Sequence, residues 1–296
     1  MSGPPQPLPP ADLSTWTVAV IGLGTMGGAM VDRLLACGAA VRAYTRNAER
    51  LAGFARRSGA VPARTPAEAA AGADAVLVSV ADDDALRTVL CGPSGVYAAG
   101  PRVVLNASTV APATARELAA AGPLLDTGVL GNGFHARGGR LRWYVGGSAD
   151  LLGYARPVLD ALGHQVLHVG GSGAGMVLKL AMNQLMGLEM QAMAEVVLAA
   201  EAGGLDRVAV LDAVAESGFA APVMRFKAAR MASGSYDRPD FRLVLMAKDL
   251  ALATAGSAER LPMSAAARRT HDSSVHLGLG ESDCAAVLLG LEKGAR

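Results

Sequence analysis

Apolar residues follow two different spacings along the chain, and the change of spacing divides it. Up to about residue 170, short apolar runs alternate with segments in which apolar residues recur every three to four positions. This alternation predicts strands and helices that form a parallel, doubly wound sheet covered on both faces. The predicted strands cover residues 18–22, 40–45, 75–80, 102–108, 124–129 and 163–170.

Helical spacing dominates after a Gly-rich break at residues 170–175. A long helix is predicted over 176–203. Because apolar residues lie around much of its circumference, we expect this helix to be buried within its domain or against another subunit. Further helices are predicted over 206–217, 223–233, 241–259, 265–279 and 282–294.

The pattern therefore predicts an α/β fold in three parts. Residues 1–14 are a Pro-rich leader that we expect to be disordered or extended. Residues 15–170 form the doubly wound α/β domain. Residues 171–296 form an all-α domain, which is expected to hold the substrate and to mediate a homodimer.

Local signals mark the ends of several helices in the first domain. Gly38 and Gly59 each follow a helical segment and are typical C-terminal stops. Thr65 begins a short helix, and Glu68 three residues later predicts a capping box, in which each side chain accepts a hydrogen bond from the other residue's backbone.

Composition and charge argue against several classes of protein. The net charge is +1, charged residues make up 18% of the chain and aromatic residues 4%, so nothing indicates a nucleic-acid or membrane surface. No apolar run reaches the ~20 residues that span a bilayer, and the leader lacks the basic and apolar regions of a signal peptide. Three cysteines without paired spacing favour a reducing compartment. We therefore expect a cytoplasmic protein.

The histidines do not predict a metal centre. His164 and His168 are four residues apart, but they fall in a predicted strand. No HExxH motif or Cys/His cluster supplies the ligands that a zinc site needs. No bound metal is expected.

A Gly-rich turn, GLGTMG at residues 22–27, follows the first predicted strand. In a dinucleotide-binding turn the first glycine permits the tight bend, the second lets the backbone approach the pyrophosphate, and the third lets the helix pack on the strand. A turn without a ligand is the alternative, but the strand before it and the helix after it are the context that binding requires. The predicted contacts are Gly22, Leu23, Gly24, Thr25, Met26 and Gly27.

The end of the second strand indicates which nicotinamide cofactor binds. Sites that prefer NAD usually carry an acid here, whereas this chain has Thr45, Arg46 and Asn47. A guanidinium can clamp a 2′-phosphate and stack on adenine, so NADP(H) is favoured over NAD(H). The alternative is that Arg46 is only a solvated turn residue.

With these motifs in place, the chain resembles the β-hydroxyacid dehydrogenases and their relatives, the imine reductases. The resemblance covers nearly everything after the leader. Besides IGLGTMG, the segment NASTVAP at 106–112 is similar to the family's DxSTVxP turn, with Asn106 in the place of the acid. Residues 171–183 resemble its GxGxxxKxxxN helix, and MAKDLALA at 246–253 resembles its KDLxLA helix.

The resemblance implies the roles of several residues. Lys179 would be the catalytic acid/base, and Asn183, one helical turn later, would help to hold the substrate. Lys248 would reach the cofactor or substrate near the nicotinamide, which Thr109 and the turn at Val80 and Ala81 would border. Without the resemblance, an ordinary solvent-exposed lysine would be the favoured interpretation of Lys179, because lysines are rarely buried, and the alternative for Lys248 is an exposed helix charge.

The substrate loop departs from the family. Where the family reads approximately DAPVSGG, this chain reads DTGVLGN, so Leu130 replaces a serine, Gly131 is retained and Asn132 replaces a glycine. Because Leu130 cannot donate a hydrogen bond and narrows an anion pocket, a small 3-hydroxy acid is less expected than in a typical member. The loop and residues 143–146 also resemble imine reductases, although these usually carry Asp or Tyr in place of Lys179.

Three hypotheses remain open at this stage. The first is an NADPH-dependent reductase or dehydrogenase that acts on a small carbonyl or hydroxy substrate in a specialised biosynthetic pathway, with Lys179 as proton donor. The second is an imine reductase on the same scaffold. The third is a non-catalytic dinucleotide-binding module, against which the retained Lys179 and Asn183 argue.

Overall fold

The computed structural model describes residues 8–9, 11–256 and 258–294. It divides into a first unit, Met1–Lys179, and a second unit, Leu180–Arg296. The division falls after the predicted boundary at residue 170, because the first turns of a long helix, α8 (Ala174–Ala202), pack against the sheet of the first unit.

The first unit is built on one eight-stranded sheet. Its order is β3-β2-β1-β4-β5-β6-β7-β8. As in a doubly wound fold, strands are added on one side of β1 up to β3 and on its other side from β4 onwards. Several strands are buried along all or nearly all of their length and read as continuous apolar runs, because helices cover both faces. The strands are β1 (Thr17–Ile21), β2 (Ala40–Tyr44), β3 (Val61–Pro62), β4 (Ala75–Val78), β5 (Val104–Asn106), β6 (Leu124–Leu130), β7 (Leu141–Gly146) and β8 (Gly163–Gly170).

The sheet is parallel from β3 to β6, and β7 then runs antiparallel to β6. The prediction of a parallel sheet is therefore wrong at this edge. The reason is the short connection at residues 131–140, since a parallel crossover needs about a dozen residues or more. β8 is parallel to β7.

Helices cover the two faces of this sheet and bury separate apolar clusters against it. Two predicted stops are confirmed, since Gly38 and Gly59 have φ of 85° and 84°. Besides the start of α8, the helices are α1 (Thr25–Ala36), α2 (Ala48–Ser58), α3 (Pro66–Ala70), α4 (Asp83–Cys91), α5 (Pro112–Ala121), α6 (Gly133–Arg137) and α7 (Ala149–Leu162), with a 3₁₀ turn at Val96–Ala99.

The predicted capping box at α3 forms only in part. Thr65 Oγ1 accepts a hydrogen bond from the Glu68 backbone at 3.0 Å, as expected. The Glu68 carboxylate instead accepts from the Arg64 backbone at 2.9 Å and lies beside the Arg64 guanidinium. The Glu68 carboxylate therefore contacts Arg64 and not the Thr65 backbone N–H that a complete capping box would use.

The described part of the leader, residues 8–9 and 11–14, packs on the first unit. Leu13 is only 1% exposed, and its backbone N–H donates to the Cys37 carbonyl at 2.7 Å. The buried guanidinium of Arg33 donates to the carbonyls of Leu8 and Pro9. The rest of the leader, residues 1–7 and 10, lies outside the described residues.

Among the described residues, the second unit contains the remainder of α8 and five further α-helices, which enclose a buried core of their own. The helices are α9 (Arg207–Glu216), α10 (Pro222–Ser233), α11 (Leu243–Thr254), α12 (Pro262–Ser274) and α13 (Val287–Gly294), with 3₁₀ turns at Ala258–Arg260 and Cys284–Ala286 and a π-helical turn at Val275–Leu279. Along the described ranges, no helix is both long and apolar enough to cross a membrane.

Two predicted helices in this unit end earlier than expected, and the helix predicted over 282–294 begins later, at Val287, after a 3₁₀ turn. The helix predicted over 241–259 ends at Thr254, because Ala255 leaves the helical region and Gly256 has a φ of 70°. The helix predicted over 265–279 changes to a π-helical turn at Val275, and Gly278 within that turn has a φ of 84°. Both ends therefore depend on glycines in the left-handed region.

Candidate active site

The predicted dinucleotide turn lies at the carboxyl edge of the sheet, between β1 and α1. Gly22 has a φ of 97°, and a Cβ there would overlap the Ser79 carbonyl. A Cβ on Gly27 would overlap the Gly22 carbonyl. A Cβ on Gly24, in contrast, would meet no atom within 4 Å. The first and third glycines thus serve chain packing, and the second leaves open space where a pyrophosphate would approach.

The start of α1 suits an anion. Helix α1 begins at Thr25, and Gly24 at its N-cap supplies no side-chain hydrogen bond to the first turn. Backbone N–H groups at such an end, together with the positive end of the helix dipole, favour phosphate. These residues therefore fit a nicotinamide dinucleotide. Leu23 is only 2% exposed and belongs to the apolar core.

The end of β2 places the predicted specificity residues beside this turn. Ile21 pairs with Tyr44 in the sheet, so residues 22 and 45 leave the same edge. Arg46 is exposed and Thr45 is half-buried. Asn47 caps α2, and its side-chain oxygen accepts a hydrogen bond from the Arg50 backbone at 2.8 Å. The Asn47 side-chain oxygen is therefore engaged in capping α2, whereas Arg46 lies at the surface.

The turns after β4 and β5 are joined by a hydrogen bond that the sequence did not predict. The Val80 backbone donates to Ser108 Oγ at 2.9 Å, and Asn106 Oδ1 accepts from the Ser108 backbone at 3.0 Å. Asn106 thus shapes the turn that precedes Thr109, and Ser108 holds the turn of Val80 and Ala81. An Asn two residues before a Ser is a known turn signal, so the local bend was accessible from the sequence, whereas the contact between the loops was not.

Lys179 lies in the second turn of α8, against β6. Its relative exposure is 9%. A Cβ on Gly128 in β6 would lie 2.8 Å from Lys179 Cβ and 2.8 Å from the Gly175 carbonyl oxygen, so the helix touches the strand where the strand has no side chain. The predicted catalytic lysine is therefore buried and closely packed at its base, unlike an ordinary surface lysine.

The substrate loop after β6 carries Leu130, Gly131 and Asn132. Leu130 is half-buried, and Gly131 has a φ of 130°. The Asn132 side-chain oxygen accepts hydrogen bonds from the backbones of Phe134 and His135, at 3.1 and 3.2 Å, and so caps α6. Asn132, which stands where the family has a glycine, thus caps a short helix, and its side-chain oxygen points to the first turn of that helix.

The second unit holds Asn183 and Lys248 around one buried carboxylate. Asn183 Nδ2 donates to Asp249 Oδ2 at 2.5 Å, and Lys248 Nζ lies 2.7 Å from Asp249 Oδ1. Asp249 is 1% exposed and Asn183 is 3% exposed. Asp249 therefore orients both predicted residues, a role that the motif alone did not assign to it.

Within the described ranges, no group of three or more His, Cys, Asp or Glu side chains could hold a metal ion. His164 and His168 instead contact the carbonyls of Arg140 and Gly147.

Two family models match the chain, and together they span nearly all of it after the leader. One is described as the NAD binding domain of 6-phosphogluconate dehydrogenase and covers residues 17–170. The other, described as NAD-binding of NADP-dependent 3-hydroxyisobutyrate dehydrogenase, covers residues 173–290.

Individual relatives agree with these models. The NAD-dependent L-serine dehydrogenase of Pseudomonas aeruginosa is 32% identical over 286 residues, which are 91% of this chain and 96% of the relative. The solved structure of Psf3 in complex with NADP⁺ and 2-OPP has a TM-score of 0.83 at 27% identity, covering 93% of this chain and 99% of the other. A Streptomyces aurantiacus imine reductase has a TM-score of 0.58 at 26% identity, with the same coverage of both chains.

Proposed function

Because the chain belongs to the β-hydroxyacid dehydrogenase family, and is therefore an NAD(P)-dependent oxidoreductase, we propose that it transfers hydride between NADP(H) and a small carbonyl or hydroxy substrate with Lys179 as general acid/base. The family resemblance expected from the motifs is confirmed. The observation that carries the proposed chemistry is Lys179 itself, which is buried on α8 and packed against Gly128.

Each of the site residues has a separate role in the proposed reaction. Bound NADPH supplies the hydride. Lys179 donates a proton to the substrate oxygen as the neighbouring carbon is reduced, and in the oxidative direction it accepts that proton; such transfer contributes typically about 10²–10⁴-fold to rate. Asn183 holds the substrate, and Asp249 fixes the orientation of its amide through the 2.5 Å hydrogen bond.

A preference for NADP(H) is supported by Arg46. Its exposed guanidinium follows β2, and no carboxylate stands between residues 44 and 48 to bind a ribose hydroxyl. Psf3, a structural relative, is solved with NADP⁺, whereas the Pseudomonas aeruginosa relative is named NAD-dependent. The ratio of kcat/KM for NADPH and NADH tests the preference directly.

Leu130 supports a substrate that is less charged, or larger, than a small hydroxy acid. A leucine side chain adds apolar surface to the loop and cannot hydrogen-bond a carboxylate. The Asn132 side-chain oxygen caps α6, and within this side chain only the Nδ2 amide group can donate a hydrogen bond to a substrate oxygen. An unusual substrate of a specialised biosynthetic pathway fits this loop.

The first test is NADPH oxidation by the purified protein, followed at 340 nm against two panels. The carbonyl panel contains glyoxylate, succinic semialdehyde and uncharged aldehydes and ketones of increasing size; the second contains cyclic imines. L-serine and 3-hydroxyisobutyrate with NADP⁺ test the oxidative direction. We expect turnover of a carbonyl, with uncharged members preferred. NADPH binding without turnover on any panel would instead identify a non-catalytic dinucleotide-binding module.

Imine reduction is the second candidate function. It is favoured by the loop DTGVLGN at 126–132, by residues 143–146 and by the shared fold of an imine reductase. Lys179 argues against it, because an iminium needs less proton donation than a ketone. Turnover confined to the imine panel would establish this alternative.

We also propose that the protein is a cytoplasmic homodimer that assembles through its helical unit. Leu185 and Val196 on α8 are each 51% exposed, and an apolar cavity of about 530 Å³ opens between α8, α9 and α10. Exposed apolar surface of this kind is typical of subunit interfaces. Light scattering should give a dimer at micromolar concentration, and Leu185→Asp should shift it towards a monomer. A wild-type monomer would refute this assembly.

A further inference from the structure

Helix α8 is capped by a side chain that is distant in sequence. Several helices of the chain are capped by the side chain of the residue directly before them, such as Asn47 for α2 or Asp206 for α9. At the start of α8 stands Gly173, which has a φ of 90° and no side chain. Its backbone N–H donates instead to Asp126 Oδ1 at 2.8 Å, and the Met176 N–H donates to Asp126 Oδ2 at 3.0 Å.

The Asp126 carboxylate is held in a close-fitting backbone pocket. Asp126 is fully buried in β6. A Cβ on Gly146 in the neighbouring strand would lie 2.7 Å from both carboxylate oxygens, and a Cβ on Gly175 would lie 2.9 Å from Oδ2. Burial raises the pKa of Asp126, although backbone hydrogen bonds oppose this. Both oxygens are thus fixed to the first turn of α8, and neither can move without breaking that contact.

The same strand also touches α8 one turn later, at Lys179. Gly128 is two residues after Asp126, so both point to the same face of β6. A Cβ on Gly128 would lie 2.8 Å from Lys179 Cβ. Strand β6 therefore holds the start of α8 at two points, with the carboxylate at the cap and the glycine at the lysine.

We propose that Asp126 is a positioning residue for Lys179, and that its two hydrogen bonds fix the first turn of α8 so that the ammonium group reaches the reacting oxygen. This inference rests on the proposed role of Lys179. The lysine is three residues after Met176, whose N–H the carboxylate accepts, so a displaced cap moves the base of the lysine side chain with it. A displacement of about 1 Å at a reacting group costs on the order of 10²-fold in rate.

Graded substitutions separate positioning from simple stabilisation. Asp126→Asn keeps the shape of the side chain and one acceptor oxygen, but its NH₂ group then faces one of the two backbone N–H groups and cannot accept from it. Asp126→Ala removes both acceptor oxygens. The matched controls are Asp206→Asn and Asp206→Ala, since Asp206 caps α9 through the Ala209 backbone at 3.0 Å and lies at the surface. All variants are compared in kcat on the panel carbonyl with the highest turnover, in NADPH dissociation constant and in Tm.

The solvent isotope effect gives a readout that a loss of stability does not change. If Lys179 is misplaced, proton transfer becomes slower relative to other steps, so the ratio of kcat in H₂O to kcat in D₂O should rise. We expect kcat to fall by about 10-fold in Asp126→Asn and by about 100-fold in Asp126→Ala, with NADPH binding unchanged. The Asp206 variants should lose only Tm.

A double-mutant cycle tests whether Asp126 acts through the lysine. In a Lys179→Ala background, Asp126→Asn should cause no further loss of kcat, because the group that it positions is absent. Additive losses would overturn the inference, as would an Asp126→Ala enzyme that loses Tm but keeps kcat and isotope effect. Failure of both Asp126 variants to fold would also overturn it, since the carboxylate would then be a stability element.

The cycle distinguishes this inference from the proposed function. If Lys179→Ala keeps wild-type turnover, the proposed role of the lysine fails, and this inference fails with it. If Lys179→Ala is inactive but Asp126→Asn resembles wild type in every readout, only this inference fails.

Discussion

Replacing Gly128 with alanine is expected both to slow the chemical step and to destabilise the fold. The added methyl would lie 2.8 Å from both Lys179 Cβ and the Gly175 carbonyl oxygen. Ordinary van der Waals contact begins near 3.4 Å, so helix α8 or strand β6 must move by about 0.6 Å. The methyl meets backbone and the base of a side chain, and neither can swing aside.

The magnitudes follow from this clash. Overpacking of a well-packed core costs typically about 1–3 kcal/mol in free energy of unfolding. Because about 1 Å of misplacement costs on the order of 10²-fold, a shift of about half that size should lower kcat by roughly 10-fold or more. The glycine turn after β1 is not touched, so the NADPH dissociation constant should remain within about twofold.

Gly153→Ala is the matched control. Gly153 lies on the exposed side of α7, and a Cβ there would meet nothing within 4 Å. This variant should gain about 0.5–1 kcal/mol in free energy of unfolding, because alanine favours helix over glycine, with unchanged kcat. The assays are urea unfolding, NADPH fluorescence titration and steady-state turnover. A Gly128→Ala enzyme with wild-type kcat would refute the reasoning, as would a loss of kcat matched by an equal loss of NADPH binding.

Three further predictions follow from other residues. Arg46→Ala should lower kcat/KM for NADPH by about 10–100-fold, the worth of a charge-assisted hydrogen bond, and leave NADH unaffected; equal losses with both cofactors would exclude a contact with the 2′-phosphate. Lys227→Met should cost about 3–5 kcal/mol in urea unfolding, because it leaves the Asp283 carboxylate, 2.7 Å from Lys227 Nζ and fully buried, without its main cation; a cost below about 1 kcal/mol would contradict this. Burial lowers the pKa of His271, so the folded state keeps it neutral while the unfolded chain takes up a proton below about pH 6.5; the wild type should therefore lose more stability between pH 7.5 and 5.5 than His271→Gln, and equal losses would show that His271 does not contribute.

The features that the sequence predicted best are those with a strictly local cause. Gly27 is required because the carbonyl of Gly22, five residues earlier, fills the space where its Cβ atom would lie, and the short spacing of the motif expresses that requirement. The helix starts at Thr65 and the stop at Gly59 are likewise set within a few residues. Lys179 was found by a motif, since burial of a lysine leaves no separate periodic signal.

The features that the sequence did not predict depend on residues far apart in the chain. The Asp126 cap joins residues 47 and 50 positions apart, and the Asn183–Asp249 bond joins residues 66 apart. No local pattern marks such pairs, because each partner alone is only a polar residue in an apolar segment. The reversal of β7 is a consequence of connection length, which periodicity does not express.

The packing of the leader on the first unit is another feature that the sequence did not predict. Its Pro-rich composition predicts an extended, unpacked chain. Residues 8–9 are nevertheless held by the guanidinium of Arg33, which also donates to the Ala161 carbonyl. These three carbonyls around one buried cation are a tertiary arrangement, which the composition of the leader cannot predict.

The most direct test of the account is the rate of a single turnover in Lys179→Ala, measured by stopped flow with NADPH bound and the best carbonyl of the panel added. Lys293→Ala, which removes an exposed lysine on α13, is the control. The account predicts that Lys179→Ala binds NADPH normally and reduces the carbonyl about 10²–10⁴-fold more slowly, while Lys293→Ala matches the wild type. Carbonyl reduction at the wild-type rate in Lys179→Ala would contradict the account and leave the buried lysine without a catalytic role.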